Sequence, residues 1–255
     1  MNRVEKRINE LKKKKEKGLG FFLMGNWPDK DTFIEILRFI DSKNLADFLQ
    51  IGVPFSDPVA DGPIIRKASA QALYKGATLE KILKNLLSVR EEISIPLILK
   101  TYANPLYVSG IGEMLSLAKE SGISAIIIPD MPLEEISLVE EQARKNKIGV
   151  LLFAGPTTSE KRLVKISSKT SFFLSYTASH ETSSLEFEKV LALSEKPVYS
   201  DFGKLSPEQA GAIAHSLDGI IMGWALTEII DDSEKNFFKE IEKFAISIRK
   251  EIKEI

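Results

Sequence analysis

The run Gln50-Ile51-Gly52-Val53-Pro54-Phe55-Ser56-Asp57-Pro58-Val59-Ala60-Asp61-Gly62-Pro63 gathers polar side chains that could do chemistry at the end of an apolar stretch. Asp57 and Asp61 stand close together between prolines. Two carboxylates so placed could share acid–base work, but Pro, Gly and Asp are also the usual constituents of a surface turn. Gln50 is different in kind. A carboxylate takes a proton near neutral pH, whereas a side-chain amide offers hydrogen bonds and no usable basicity. Gln50 therefore reads either as a binding group or as a core amide that must find partners. Histidine occurs only at His180 and His215, which argues against a histidine-built metal site. The absence of cysteine removes thiol catalysis and disulfides.

Elements able to position these groups alternate along the whole chain. Strand-like apolar runs fall at Gly20–Met24, Asp47–Ile51, Leu97–Lys100, Ala125–Ile128, Gly149–Phe153, Ser171–Leu174, Val198–Asp201 and Gly219–Met222. Amphipathic stretches separate them, at Lys30–Lys43, Leu79–Glu92, Gly110–Glu120, Leu133–Asn146, Ser159–Ser167, Pro207–Leu217 and Ser233–Ile252. Short Val, Ile, Leu and Phe runs between helices indicate parallel strands buried on both faces. A doubly wound open sheet competes with a closed (β/α)8 TIM barrel. Eight such units in about 250 residues, without Gly-x-Gly-x-x-Gly after the first strand, favour the barrel. One barrel domain over residues 1–255 is expected. Chemistry then belongs at the C-terminal strand ends, and alternation turns Phe48 and Gln50 into the lumen. An additional N-terminal helix, with Val4, Ile8 and Leu11 on one face, should cover the opposite end. Its Lys12–Lys15 run reads as a solvated helix end rather than an anion patch. Ser206-Pro207 and Thr158-Ser159-Glu160 carry helix-start signals.

With Glu in place of Gln50, the 50–63 run resembles the signature segment of the tryptophan synthase alpha subunit family. The likeness extends to Tyr102-Ala103-Asn104-Pro105, to Pro129-Asp130-Met131-Pro132-Leu133-Glu134-Glu135, and to Phe202-Gly203 with Ser206-Pro207-Glu208-Gln209. Order, spacing and length agree from about residue 18 onward. The resemblance implies a retro-aldol lyase acting on indole-3-glycerol phosphate, in an α2β2 assembly whose beta subunit holds pyridoxal phosphate. No cofactor is expected in this chain. By the same resemblance Gln50 occupies the general-base position, and Asp61 is the acid that binds the indole nitrogen. Pro54, Ser56, Asp57, Pro58, Asn104, Pro105, Asp130 and Pro132 fall on the contact surface for the beta subunit.

Departures from the family pattern gather around the expected pocket. The glycine-rich lid after the sixth strand reads Ser175-Tyr176-Thr177-Ala178-Ser179-His180-Glu181, with His180 at the lid threonine. Phe172 stands at a position usually Tyr. Gly-Phe-Gly becomes Asp201-Phe202-Gly203, and Gly-Ser-Ala becomes Gly223-Trp224-Ala225, at the positions expected to cradle phosphate. Asp201 would repel a dianion and Lys204 could offset it in part.

The expectation is thus a subunit that activates its partner while its own cleavage is weak or lost. An active lyase using another base, Glu181 or Asp201, is the alternative. A further alternative is a barrel turned to an unrelated small ligand, with Trp224 and Tyr176 lining an aromatic pocket. An indole or phosphate ligand is possible in either case. A net charge of -1 gives no attraction to nucleic acid or anionic membrane. No apolar run approaches the roughly 20 residues of a membrane span. The charged start lacks a secretory signal's apolar core, so a cytoplasmic location is expected.

Overall fold

Nine parallel strands form the sheet of the computed structural model, which describes residues 1–178, 182–232 and 236–253. They are β1 (Gly18–Met24), β2 (Phe48–Gly52), β3 (Leu97–Lys100), β4 (Ile123–Ile127), β5 (Gly149–Leu151), β6 (Phe153–Ala154), β7 (Leu174–Thr177), β8 (Val198–Phe202) and β9 (Gly219–Met222). Their spatial order is β5-β4-β3-β2-β1-β9-β8-β7-β6. β5 pairs with β4, β6 pairs with β7, and Leu152 joins the two pieces. The expected fifth strand is therefore present as two short halves, and its continuity brings the ends of the sheet together. The result is a nearly closed TIM barrel with helices between its strands.

The sixth expected strand is displaced. β7 runs Leu174–Thr177, whereas the apolar run suggested Ser171–Leu174. Phe173 is apolar because it packs in the barrel's inner floor, before the ladder starts. Polar Ser175 and Thr177 continue the strand because they face a cavity. Four helices, Pro63–Tyr74, Ala103–Val108, Ser184–Leu193 and Ala225–Asp232, lie outside the amphipathic stretches of the sequence. The expected Ser233–Ile252 helix is observed as Phe237–Lys253. Ser206 does cap the helix Pro207–His215, in a reciprocal bond with Gln209.

Inside the barrel, aromatic rings sit where nearby strands carry glycine. Phe48 lies over Gly20, and Tyr199 lies over Gly18 and Gly219, where any Cβ would collide with the ring. Phe48, Phe173 and Tyr199 meet with centroids 4.8–5.5 Å apart. Val4 and Ile8 of the N-terminal helix Arg3–Lys14 close this floor from below. Beside it Asp47 is fully buried, accepting from the Leu19 N–H at 2.7 Å, Arg7 at 2.6 Å and Arg249 at 2.7 Å. First strand, N-terminal helix and C-terminal helix are thereby tied to one carboxylate. The lysines at the end of the N-terminal helix are exposed around Lys15, whose left-handed backbone ends the helix. No helix among the described residues is long and apolar enough to cross a membrane.

Candidate active site

A cavity of about 600 Å³ opens at the C-terminal ends of the strands. Its wall includes Phe22 of β1, Lys100 of β3, Phe153 of β6, Thr177 of β7, Asp201 of β8 and Trp224 beyond β9. Asp61 reaches it from the loop after β2. That loop is anchored by Ser69 of the helix Pro63–Tyr74, whose hydroxyl bonds both the N–H and the carbonyl of Phe55. Tyr102 clamps it from the other side. Its hydroxyl donates to Asp61 at 2.9 Å and accepts the Ala60 N–H at 3.0 Å. Burial and the neighbouring Asp61 carboxylate push the Tyr102 phenol well above its ordinary pKa, so it stays a donor. Asp57 is separate from this arrangement. It is exposed and bonded to Ser56, so the two loop carboxylates do not form one site.

Gln50 is wholly buried, and among the described residues neither its Oε1 nor its Nε2 has a hydrogen-bond partner. It faces inward, in register with Phe22 and Ile98. The Phe22 ring leans over Gly52, one inward position above Gln50, so that it lines the cavity while Gln50 does not. The amide thus lies below the cavity lining, with the Phe22 ring filling the inward space over Gly52. An orphaned amide in such a place costs about 1–3 kcal/mol.

Lys100 is a site residue that the sequence reading passed over. It ends an otherwise apolar strand, and its separation from Ile98 by two residues marks it as lumen-facing. Its ammonium lies 3.7 Å from Asp201 and 5.4 Å from the centre of the Phe22 ring. Burial pushes the Asp201 carboxyl above the ordinary aspartate pKa; Lys100 opposes the rise and Asp61 adds to it. Arg162 also borders the cavity but makes a two-pronged pair with Glu134, at 2.8 and 2.9 Å. That guanidinium holds the Glu134 carboxyl down to about 2. Lys100 is left beside Asp201, with Asp61 lining the same cavity.

Near β8 and β9 two backbone donors of the cavity are already engaged. The N–H of Gly223 donates to Phe202 at 2.6 Å, and that of Trp224 to Gly203 at 3.4 Å. The Trp224 indole rests directly on Gly203, and Asp201 abuts Gly223. Lys204, the one cation expected to compensate, pairs with Glu228 at 2.5 Å. Phe172 does not belong to the cavity. It precedes β7 at the floor and packs over Gly149, a correction to its expected place among substrate contacts. Tyr176 is likewise corrected: it points away from the lumen, packs in the outer core and bonds Glu186. His180 and Glu181 lie outside the described residues.

The rim around the mouth is continuous. Phe55 and Tyr102 stack at 5.2 Å, and Asp130 accepts the Ala103 N–H at 2.9 Å, so the loops after β2, β3 and β4 are joined. Ser56, Asp57, Asn104, Asp130 and Pro132 are exposed there, Pro58 and Pro105 half-buried, and Pro54 buried. Pro132 also borders the cavity. Val59 and Val108 stand out at 81% and 80% exposure, with Tyr107 beside Val108 in sequence.

Residues 8–255 match the family model for the tryptophan synthase alpha chain. The chain belongs to that family. It is similar to the alpha chain of Prochlorococcus marinus, 35% identical over 98% of this chain and 94% of the relative. The alpha chain of Petrotoga mobilis is 36% identical over 92% and 96%. Among solved structures, tryptophan synthase subunit alpha from Legionella pneumophila superposes with TM-score 0.92 at 29% identity, over 100% of both chains. A Pyrococcus furiosus structure, described as showing mutual activation of the tryptophan synthase a2b2 complex, gives TM-score 0.82 at 27% identity, over 91% of this chain and 98% of that one. Membership places the chain in tryptophan biosynthesis and gives the cavity its family context.

Proposed function

We propose that this chain is a regulatory alpha subunit. It binds a pyridoxal-phosphate-dependent beta subunit and activates it allosterically in an α2β2 assembly, while its own cleavage of indole-3-glycerol phosphate is weak or lost. The observation that carries the loss is the anion-hostile end of the cavity. Gly223 and Trp224 donate their N–H groups to neighbouring carbonyls, an indole covers Gly203, and a carboxylate stands alongside. A phosphate ester held there would meet the Asp201 carboxylate and find these two donors already taken. Gln50, at the position the resemblance assigns to the general base, supplies no base and lies below the cavity lining. Losing a general base alone costs about 10²–10⁴ in rate.

Partner binding is supported by the rim. Its loops are braced to one another, and Val59, Tyr107 and Val108 present apolar surface beside the polar groups of Asp57 and Asn104. The mutual activation described for the Pyrococcus furiosus complex is the family precedent. A cytoplasmic location and the absence of any cofactor in this chain belong to the same reading.

One observation favours a second reading, an active lyase with a displaced base: Asp201 lies in the cavity with its pKa raised, as a base poised nearer neutrality would be. A paired assay with the cognate beta subunit separates the two. Purified chain should raise the rate of tryptophan formation from indole and serine severalfold, and release indole from indole-3-glycerol phosphate at least about 100-fold more slowly than its relatives. An unchanged beta-subunit rate removes the regulatory role. Gln50→Glu should restore little cleavage, because the anion-hostile end remains; full recovery would mean that the other changes are harmless.

A further inference from the structure

The cavity keeps apolar walls and a volume of about 600 Å³, yet its charge has the wrong sign for an anion. Asp61 and Asp201 face it, Arg162 is neutralised by Glu134, and among the described residues Lys100 is the cation left on the wall beside the two carboxylates. Lys100 meets Asp201 at 3.7 Å, longer than a close hydrogen-bonded pair, and also leans over the Phe22 ring. Asp201 is consequently under-compensated in a pocket where only 21% of its side chain is exposed. Trp224 and Phe153 add aromatic faces, which attract cations through their ring quadrupoles.

We infer that the cavity is a binding site for an arylalkylamine: a flat aromatic body against Phe22, Phe153 and Trp224, with a protonated amine on Asp201. The inference rests on the reading that the site no longer handles a phosphate ester, and it names what the remaining chemistry selects. An ammonium would add a second cation to the Asp61–Asp201 pair and give Asp201 the charge-assisted hydrogen bond that Lys100 supplies only at long range. An anion of the same shape would be repelled by both carboxylates. A neutral ring would gain the apolar contacts alone.

Isothermal titration of the full chain, without the beta subunit, tests this with four probes: tryptamine, 3-ethylindole, indole-3-propionate and indole-3-glycerol phosphate. Tryptamine should bind about tenfold tighter than 3-ethylindole, with the two anions weaker still. Asp201→Asn, nearly the same in shape, should erase the amine preference and leave 3-ethylindole binding within about twofold. Equal affinity for all four probes, preference for either anion, or no tryptamine binding would overturn the inference. So would an Asp201→Asn protein that keeps the preference. Should that variant fail to fold, the ranking on the unaltered chain decides alone. A failure here leaves activation of the beta subunit standing, since no partner is present; measured cleavage of indole-3-glycerol phosphate would instead remove the earlier reading.

Discussion

Asp47 at the floor and Asp201 at the mouth are both carboxylates inside one barrel, and they are treated in opposite ways. Asp47 has no exposed side chain and receives a backbone N–H and two guanidinium groups. Asp201 has one ammonium at 3.7 Å and a second carboxylate for company. Gln50, below the cavity, is likewise buried with no partner at either polar atom among the described residues. The floor is built to be satisfied and the mouth is left wanting partners. The floor carboxylate is met by its helices, whereas the unsatisfied polarity lies toward the cavity, with Asp201 on its wall and Gln50 just below its lining.

The sharpest way to break this contrast is Asp47→Ala. It removes the carboxylate shared by Arg7, Arg249 and the buried Leu19 N–H, leaving Arg7 only its Glu10 pair, and should lower unfolding free energy by about 3 kcal/mol in urea denaturation. A loss under about 1 kcal/mol would mean the floor cluster is decoration rather than a lock. Gln50→Met should act the other way. Removing an unpartnered amide from a fully buried position should raise stability by about 1–3 kcal/mol, as a higher urea midpoint with unchanged slope. Destabilisation would show that Gln50 has partners in solution.

The smallest effect is expected for Asp201→Asn, a gain of about 1 kcal/mol or less at neutral pH. Its sign with pH follows from the raised folded-state pKa. The folded protein binds this proton more tightly than the unfolded chain, so native stability falls as pH rises from the ordinary aspartate value through the raised one. The advantage of the Asn variant should therefore be present above that window and vanish as pH is lowered through it. Urea midpoints across the acid range check this, and a difference independent of pH would break the comparison.

Much of the frame was legible because strand and helix periods are local properties. Leu97-Ile98-Leu99-Lys100 announces a buried strand, and Ser206-Pro207 announces a helix start, from neighbours alone. The same local reading misplaced β7. Phe172 and Phe173 are apolar for contacts with Gly149 and Phe48, which are remote in sequence, and not because they belong to the ladder. Asp61 could be named as a site residue from its motif, but its clamp by Tyr102 could not, since that bond spans loops from different strands. Trp224 was legible as bulk near the phosphate end. Whether it would swing outward or lie on Gly203 was not.

Residue types and their periodicity were enough to determine the barrel class, the family likeness and the chemical fact that position 50 carries no base. Only the folded arrangement decided that Phe22 fills the inward space over Gly52 above Gln50, that Lys100 and Asp201 meet across the lumen, and that Gly223 and Trp224 spend their N–H groups on neighbouring carbonyls. The physical reason is closure. Strands distant in sequence become neighbours only when the sheet curls round, and charge, burial and donor direction in the lumen are properties of those neighbours rather than of any one segment.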